Sequence, residues 1–578
     1  MRLNEKSVET DVLVIGTGAA GCFAAMKAHD LGARVIMVNK VPWLGGSTMI
    51  ARAGYSAAVG DSDPRDNADV HTLDTLRGGD YMGNEKVLKA AFHKNVDATH
   101  QLIEWGANFR KKADGRLDQG KEGNVAGHTY PRAVRVAGDF SHIGKSIMDV
   151  VQPQIQKRGI EVISNVMITK LLTVEDSIAG AVGLNWREGT LLRFNAKVVV
   201  VATGGTGHMY KYTDNPAYMT GDGYAMMYRA GGELVDMEFC DFQLGVYHPQ
   251  EMFGYPPNCG IWMMSGGILL NRNGERFYRK YFPNRANEGQ CLRTEINKAA
   301  AEEILDGRGS PNGMVYLNCS NVPRDWMMSA RADMVSHFKR AGIDLTWQPM
   351  ELAPGNHTYL GGLKIDENAE SMTIRGLIAA GEAAGGWGGS NRLGGNAVGA
   401  ALGLGVLAGE SAAKRSGSTA MPRIVEGQVA AEYERIRGIL DRTEGVRAGT
   451  IKKSVQELIQ KSAWLRREEH ELTAAVKELE KIGENEVPRL FVPKQGKEMQ
   501  RLLWLREALE AANLAQCGEI VATAALTRKE SRGSHQRVDY PNTDNKRWLK
   551  NIVLWQEKKG MGVRTEPVSI TKDFLPKE

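Results

Sequence analysis

Cysteine is scarce in this sequence, and its spacing excludes several kinds of site. The six cysteines among 578 residues are Cys22, Cys240, Cys259, Cys291, Cys319 and Cys517, and none belongs to a CxxC pair. The sequence therefore encodes neither a zinc site of that type nor an iron–sulfur cluster, and no metal site is predicted. We expect free thiols in a reducing compartment, so any iron–sulfur relay would have to lie on a partner chain.

Strong charge of one sign and long apolar runs are also missing. Lys and Arg total 73 against 68 Asp and Glu, and no basic block stands out, which argues against a nucleic-acid binder. The first ten residues hold no apolar signal core and no twin arginine, so the default prediction is the cytoplasm. Residues 397–409 form the longest low-charge stretch, which is too short to span a bilayer. Attachment to the inner face of a membrane would have to go through partners.

The N-terminal segment has a strand–turn–helix–strand pattern. Hydrophobic residues make up 42% of the chain and charged residues 24%, as in folded proteins, and the length predicts two or three domains. Residues 11–15 are continuously apolar and lead into the glycine-rich turn 16–21, a helical pattern and a second apolar run at 33–38. This order predicts a parallel βαβ unit. Two more strands of this type, at 197–201 and 376–380, also run into glycine-rich turns.

The distant strands predict a cofactor domain assembled from separate parts of the chain. Apolar residues at helical spacing after residue 424 predict an amphipathic helical bundle. They fall in three groups: Val455, Leu458, Ile459 and Ser462; Leu472, Val476 and Leu479; and Leu502, Leu505, Leu509 and Ala512. The predicted segments are a first part of the cofactor domain at 1–240, a capping or substrate domain at 241–354, a second cofactor part at 355–423, a helical domain at 424–545 and a C-terminal tail at 546–578.

The first turn predicts a dinucleotide site. Gly16 would allow the tight turn, Gly18 would let a pyrophosphate approach the backbone, and Gly21 would let the helix pack on the strand. A single GxGxxG is weak evidence, and Asn39-Lys40 stands where an acidic residue usually holds the ribose. Three further glycine clusters, at 45–48, at 202–205 and at 381–382 with 391–396, strengthen the prediction, because four such turns with one suitable carboxylate describe a long cofactor lying across a sheet.

These residues resemble the flavoprotein subunits of succinate dehydrogenase and fumarate reductase, whose relatives are L-aspartate oxidase and the adenylylsulfate reductase α subunit. The likeness covers nearly the whole chain. It rests on the first turn and on ordered motifs at 202–205, 220–223, 273–277, 357–362, 381–384, 391–394 and 530–548. It implies an α/β fold: a Rossmann-like FAD-binding domain with an inserted α+β capping domain and a C-terminal helical domain.

The resemblance implies FAD as the cofactor. The family's Ser-Lys after the second strand falls on Asn39-Lys40. Ser47 stands at the position of the covalent histidyl–flavin link, so FAD is expected to be bound non-covalently. The implied cofactor-binding residues are Gly16, Gly18, Ala19, Ala20, Gly21, Asn39, Lys40, Gly46, Ser47, Thr48, Ala202, Thr203, Gly204, Asp222, Glu382, Arg392 and Asn396.

The resemblance also implies catalytic residues. Arg293 matches the arginine that delivers or removes a proton while the flavin N5 exchanges hydride with a substrate carbon. His357 and Arg392 match the residues that grip one substrate carboxylate through charge-assisted hydrogen bonds. Taken without the resemblance, the residues allow ordinary structural roles: Arg293 as a surface arginine, His357 as a core histidine and Arg392 as an orienting residue of its loop.

The position of the second carboxylate site departs from the family pattern. The family's histidine that binds the second carboxylate falls on Gln243. The family's Thr-Glu pair falls on Cys259 and Gly260. The implied substrate-binding residues are Gln243, Cys259, Trp262, Met264 and Ser265. Because apolar side chains favour desolvated apolar groups, we expect a small anionic or acyl substrate other than succinate or fumarate.

The leading interpretation is an FAD-dependent reductase or dehydrogenase acting on a carbon–carbon bond beside a carboxylate or acyl group. An oligomer or heteromeric complex with an iron–sulfur subunit is expected, because the chain has no cluster ligands and no NAD motif. An adenylylsulfate-reductase-like subunit, an L-aspartate-oxidase-like enzyme and a non-catalytic FAD-stabilised scaffold remain alternatives.

Overall fold

The computed structural model describes residues 3–42, 46–119, 127–138, 142–291 and 293–571, with the backbone alone at Gln290. Gly45 of the second predicted turn and residues 572–578 of the predicted tail lie outside the described residues.

The described strands, in chain order, are β1 (Asn4–Ile15), β2 (Val35–Asn39), β3 (Tyr55–Ser56), β4 (Ala133–Val134), β5 (Glu161–Ser164), β6 (Val166–Val174), β7 (Ser177–Asn185), β8 (Thr190–Val201), β9 (Leu234–Val235), β10 (Cys240–His248), β11 (Ile268–Leu270), β12 (Val315–Asn318), β13 (Met350–Tyr359), β14 (Gly362–Leu363), β15 (Leu377–Ala379), β16 (Lys550–Gln556) and β17 (Met561–Pro567). The described α-helices are α1 (Ala19–Asp30), α2 (Ser47–Ile50), α3 (Ala68–Gly78), α4 (Glu85–Glu104), α5 (Ile143–Lys157), α6 (Asp222–Arg229), α7 (Cys259–Met264), α8 (Tyr278–Tyr281), α9 (Arg293–Glu303), α10 (Arg324–Ala330), α11 (Ala332–Arg340), α12 (Asn396–Gly417), α13 (Glu426–Asp441), α14 (Ala448–Ser462), α15 (Glu469–Lys481), α16 (Glu498–Thr527) and α17 (Asn545–Trp548).

The largest sheet has the strand order β5-β2-β1-β8-β7-β6. β1 pairs in parallel with β2 on one side and with β8 on the other. The first half of β8 pairs antiparallel with β7, while its last residues pair in parallel with β15. The apolar ends of β1 and β8 are buried, as expected for parallel strands covered on both faces. The carboxyl ends of β1, β2, β8 and β15 therefore meet at one edge of the sheet.

The glycine- and alanine-rich helix α12 packs closely against α1 and α4. At Gly403 an added Cβ would lie 1.9 Å from the carbonyl oxygen of Ala91, so only glycine allows this approach. The close packing of α12 against its neighbouring helices explains why residues 397–409 carry so little charge. In the described part of the chain, no helix is both long and apolar enough to cross a membrane.

The inserted part of the chain has its own sheet and core. Its antiparallel sheet has the order β10-β13-β12-β11, and a second hydrophobic cluster containing Trp262, Phe338 and Leu352 packs around it. The boundary predicted at residue 354 falls inside β13, which runs on to Tyr359. The long strand thus carries His357 directly from the inserted sheet towards the cofactor domain.

The C-terminal part is helical, as the helical spacing of its apolar residues predicts. Val455, Ile459, Leu472, Leu479 and Leu505 are buried where α14 and α15 pack against α16. The segment predicted as a tail includes regular structure that the sequence analysis did not anticipate. β16 and β17 form a hairpin, and β16 pairs with β9 before the inserted domain. The C-terminal hairpin therefore packs beside β9, a strand from the middle of the chain.

Candidate active site and cofactor cradle

A cavity of about 1250 Å³ lies between the carboxyl edge of the parallel sheet and the inserted sheet. Its lining includes Gly16, Gly18, Lys40, Glu382 and the predicted catalytic residues. Pockets for ordinary small ligands measure about 300–1,000 Å³, so this cavity has room for a longer molecule. The four predicted glycine turns border it wherever the structure describes them.

The first turn is closed by backbone contacts that only glycine permits. The N–H of Gly16 donates to the carbonyl of Val38 at 2.8 Å, and Gly16 has a φ of +114°. A Cβ at Gly16 would lie 2.2 Å from the carbonyl oxygen of Ala202, and one at Gly21 would lie 2.1 Å from that of Gly16. Gly18 faces the cavity at the N-terminus of α1, and the positive end of a helix dipole favours an anionic phosphate.

Lys40, after β2, belongs to a buried ion-pair cluster at the edge of the cavity. Its Nζ lies 2.7 Å from Asp222 and 2.8 Å from Glu510, and it donates to Thr220 at 2.8 Å. Burial acts to lower the pKa of Lys40, but the two carboxylates outweigh it and raise that pKa. Asn39 lines the cavity beside Lys40. The cluster ties the cofactor domain to α16, because Glu510 lies on that helix.

The short helix α2 places Ser47 and Thr48 against the first turn. The Ala19 N–H donates to Thr48 Oγ1 at 3.1 Å, and Ser47 Oγ donates to Asn215 at 3.2 Å. The Gly46 N–H donates to the Tyr218 hydroxyl at 2.8 Å. The described turn thus lies against the N-terminus of α1.

Glu382 lies where β15 ends, beside the turn formed by Ala202, Thr203 and Gly204. Its Oε1 accepts the Tyr359 N–H at 2.8 Å. Burial raises the pKa of Glu382 to about 7, although the N–H groups of Tyr359 and Gly205 and the charge of His357 act against this. Near neutral pH the side chain can therefore donate a hydrogen bond to a hydroxyl group in the cavity or accept one from it.

The predicted catalytic residues also line this cavity, and two of them meet at one carboxylate. Arg293 begins α9, and Arg392 lies in the loop before α12. Their guanidinium groups share one carboxylate oxygen: Asp241 Oδ2 lies 2.8 Å from Arg293 Nη1 and 2.7 Å from Arg392 Nη2. His357 also lines the cavity, and its Nδ1 lies 2.7 Å from Asp214. The remaining ring nitrogen of His357 is the one available to a ligand.

The electrostatics of this cluster favour a charged Asp241 and a more acidic Arg293. Burial alone would raise the pKa of Asp241, but Arg293 and Arg392 outweigh it and hold that pKa below its usual value. Burial lowers the pKa of Arg293, and the charge of Arg392 adds to this, although Asp241 opposes both. The Arg293 side chain is 32% exposed at the open cavity, so solvent screens part of this lowering.

Comparisons with known proteins agree with this geometry. The FAD binding domain family matches residues 11–398, and the family described as fumarate reductase flavoprotein C-term matches residues 452–578. A fumarate reductase (CoM/CoB) chain of Methanothermobacter marburgensis is 35% identical over 94% of this chain and 97% of its own length. The E. coli fumarate reductase flavoprotein subunit is 27% identical over 96% of this chain and 93% of its own.

Solved structures show the same likeness. Mycobacterium smegmatis Sdh1 in complex with UQ1 superposes with a TM-score of 0.88 at 30% identity, over 98% of this chain and 95% of that one. Adenylylsulfate reductase from Archaeoglobus fulgidus gives 0.78 at 19% identity, over 98% and 96% of the two chains, which shows a shared fold alone. The chain belongs to the succinate dehydrogenase and fumarate reductase flavoprotein family.

As a member of this flavoprotein family, the chain is an FAD-dependent oxidoreductase that binds FAD. The cavity fits that cofactor, because its glycine turns bring backbone N–H groups to the edge where four parallel strands end. Of the predicted cofactor residues, the structure places the following on the cavity lining: Gly16, Gly18, Ala19, Ala20, Asn39, Lys40, Gly46, Ser47, Thr48, Ala202, Thr203, Gly204, Asp222, Glu382 and Arg392.

Three predicted site residues do not line the cavity: Asn396, Trp262 and Gly21. Asn396 turns its amide into the protein, where it contacts His71 Nε2 and Thr75 Oγ1 at 2.9 Å each. Trp262 is buried in the core of the inserted domain, where its Nε1 donates to the Pro257 carbonyl. Both belong to elements that border the cavity, but the helix geometry directs their side chains away from it. Gly21 packs α1 against the first turn, which is the role predicted for it.

The other predicted substrate residues do line the cavity: Gln243, Cys259, Met264 and Ser265. Met264 is 63% exposed, so it borders the opening.

Two functional side chains were missed, Asp241 and Asp214. Asp241 lies two residues before Gln243 on β10, and the two-residue period of a strand was the signal that could have pointed to it. Nothing in the sequence near Asp214 indicated a contact with His357.

Proposed function

We propose that this flavoprotein catalyses hydride transfer between FAD and a carbon–carbon bond beside a carboxylate or acyl group. The convergence of Arg293, His357 and Arg392 at one end of the cavity supports this function best. FAD, when bound, supplies the carrier of the hydride. The chain supplies the proton and the groups that orient the substrate.

Arg293 is the proposed proton donor in the reductive direction. Saturating a double bond requires one hydride at one carbon and one proton at the other, so the charge balances when the guanidinium releases its proton. The lowered pKa of Arg293 supports this role. In the reverse direction, the neutral guanidine would accept the proton.

His357 is the proposed donor to the activating carbonyl of the substrate. Its contact with Asp214 fixes the ring orientation and leaves Nε2 for the ligand. Arg392 adds positive charge next to the same position, and its side chain is almost entirely buried. Together these groups would stabilise negative charge that develops on the carbonyl oxygen as hydride arrives.

Two departures from the family pattern support a substrate other than succinate or fumarate. Gln243 stands at the position of a carboxylate-binding histidine, and Cys259 begins the apolar helix α7. Neither side chain carries a positive charge for a second carboxylate. Ser47 likewise cannot form the covalent histidyl link, so we propose that FAD is bound non-covalently.

An iron–sulfur protein is the proposed electron partner. The described residues include no group of three or more His, Cys, Asp or Glu that could hold a metal, and all six cysteines are free thiols. Several relatives are named as subunits, which supports a heteromeric complex.

The function is tested by reoxidation of the reduced, FAD-loaded protein under anaerobic conditions. Dimethyl fumarate serves as the acyl-activated probe and fumarate as the dicarboxylate. We expect the ester to reoxidise the protein and fumarate to do so slowly. Because general acids contribute about 10²–10⁴-fold, Arg293→Lys and Arg293→Ala should lower the ester rate by about that factor while FAD stays bound.

Arg285→Lys is the matched control, since Arg285 lines the same cavity but pairs with Glu295. We expect its rate to stay close to that of the unmodified protein. Full turnover in Arg293→Ala would overturn Arg293 as the proton donor, and failure of both probes to reoxidise the unmodified protein would favour the scaffold alternative. Fast fumarate turnover would contradict the proposed substrate class, and oxidation of the flavin's reduced form by adenylylsulfate would point to sulfur chemistry instead.

A further inference from the structure

Asp241 is the buried acid behind the two catalytic arginines. Its side chain is 2% exposed, and its Oδ2 accepts from Arg293 Nη1 at 2.8 Å and from Arg392 Nε and Nη2 at 3.0 and 2.7 Å. One carboxylate oxygen thus accepts three N–H groups from both guanidinium groups. Neither the FAD cradle nor the proton-transfer step requires this arrangement.

Asp241 changes the direction in which Arg392 can act. The Nε and Nη2 atoms of Arg392 form the edge with which arginine usually clamps a carboxylate in a bidentate manner. Both atoms are directed to Asp241, and Nη1 donates to the Leu393 carbonyl at 3.4 Å. The edge best suited to a substrate carboxylate is therefore occupied by a carboxylate of the protein.

The backbone holds Asp241 in this position. Asp241 lies on β10 and pairs with Thr358 of β13, next to His357. Asn297 of α9 donates to the carbonyl of Phe242 at 2.7 Å, which fixes the helix that carries Arg293 against the same strand. A substrate carboxylate would have to displace the Asp241 side chain from its three hydrogen bonds with Arg293 and Arg392.

The charge balance of the cluster follows directly. Two guanidinium groups carry two positive charges, and the Asp241 carboxylate, whose pKa is lowered, removes one of them. The carboxylate of Asp214 offsets any charge on His357. On the opposite side, Gln243 and Cys259 bring no charge. The cluster of Arg293, Arg392 and Asp241 therefore carries about one net positive charge, one fewer than the two arginines would carry without Asp241.

We propose that Asp241 determines substrate charge, and that it selects an uncharged acyl carbonyl over a second carboxylate. This inference rests on the proposed function and names its substrate class: an unsaturated or saturated acyl compound with at most one carboxylate. Asp241 acts through the arginines, so it is a specificity-determining and positioning residue rather than a catalytic one.

The test measures ligand binding to the oxidised, FAD-loaded protein through the change in flavin absorbance. Malonate and malonamide are the probes, because they have the same carbon skeleton and differ by two negative charges. The unmodified protein should bind malonamide more tightly than malonate. Asp241→Asn keeps the shape and removes one negative charge, and it should tighten malonate binding at least about tenfold, as expected for one buried charge contact.

Asp69→Asn is the matched control, because Asp69 carries the same charge but is 61% exposed and lies outside the cavity lining. It should leave both affinities unchanged. Equal malonate affinity in Asp241→Asn and in the unmodified protein would overturn the proposal. If Asp241→Asn fails to fold, the unmodified protein decides: malonate binding equal to or tighter than malonamide overturns the proposal.

These outcomes are separate from those that test the proposed function. Ligand binding to oxidised protein requires no turnover, so charge selection can hold even if Arg293 variants remain active. Conversely, loss of turnover in those variants would support the proton donor and say nothing about the effect of Asp241→Asn on malonate.

Discussion

At the scale of single residues, Gly16 of the first glycine turn is constrained both by its backbone conformation and by a close backbone contact. Its φ of +114° disfavours other residues, and an added Cβ would lie 2.2 Å from the backbone oxygen of Ala202. No rotation of a side chain can relieve that contact. We expect Gly16→Ala to lose FAD and to unfold at lower temperature, as measured by flavin content and thermal denaturation.

Gly32 provides the comparison, because it shares the positive φ without the close contact. It has a φ of +93°, and an added Cβ would meet no heavy atom of the described residues within 4 Å. Gly32→Ala should cost only about 1–2 kcal/mol of backbone strain and keep its FAD. Normal flavin content in Gly16→Ala would show that the turn can rearrange, and the account of the cradle would fail.

The sequence predicts such glycines well and side-chain direction poorly. Gly16 is recognisable because it follows an apolar strand and precedes a helix. Asn396 and Trp262 stand in equally suggestive places, yet their side chains turn into the protein. Asp241 shows the opposite case: between Cys240 and Phe242 it reads as one polar residue in a strand, and only the tertiary fold brings it to Arg293 and Arg392.

At the scale of elements, α16 shows what amphipathic spacing can and cannot predict. The stripe through Leu502, Leu505 and Leu509 is buried as predicted. The helix extends much further, to Thr527, and its later turns pack against α14, α15 and α6. This half is buried on most sides, so its sequence loses the polar face that makes a surface helix recognisable.

Glu519 on α16 gives a pH-dependent prediction for this packing. Burial raises the pKa of Glu519 to about 7, and Glu480 and Glu484 contribute to that rise. A folded-state pKa above the usual value means that the folded state binds the proton more tightly. The stability from that proton is present at acidic pH and is lost as pH rises through about 7. Glu519→Gln should therefore raise the melting temperature at pH 8 but not at pH 5.

The size of the effect is modest, because the side chain is only partly buried. After allowance for solvent screening, we expect about 1 kcal/mol at pH 8, or roughly 1 °C in thermal denaturation of a chain of this length. Glu498→Gln, at the exposed start of the same helix, should give no gain at either pH. An equal gain at pH 5 and pH 8 for Glu519→Gln would rule out titration of this group as the cause.

At the scale of the whole molecule, a buried charge cluster joins segments that are far apart in sequence. Arg528 Nε lies 2.7 Å from Glu238, and its Nη1 lies 3.0 Å from Glu530. The same guanidinium donates to the carbonyls of Trp548 and Lys550. Arg528 therefore connects the end of α16, the start of the C-terminal hairpin and the strand region before β10. The sequence pattern could not predict this closure, because each partner is an ordinary charged residue in its own segment.

Breaking this cluster should destabilise the protein more than removing it. Arg528→Met would leave Glu238 and Glu530 buried without their shared partner, which should cost about 3–5 kcal/mol, measured as a shift in the urea midpoint. Burial already raises the pKa of Glu238, with Arg528 opposing it, so the loss should be larger at pH 8 than at pH 5.

Arg528→Met with Glu238→Gln should recover part of the loss, because one uncompensated carboxylate is gone. Arg547→Met, at a side chain 80% exposed beside Asp544, should change little. If Arg528→Met proved as stable as Arg547→Met, the buried ion pairs of Arg528 would not be what holds these distant segments together.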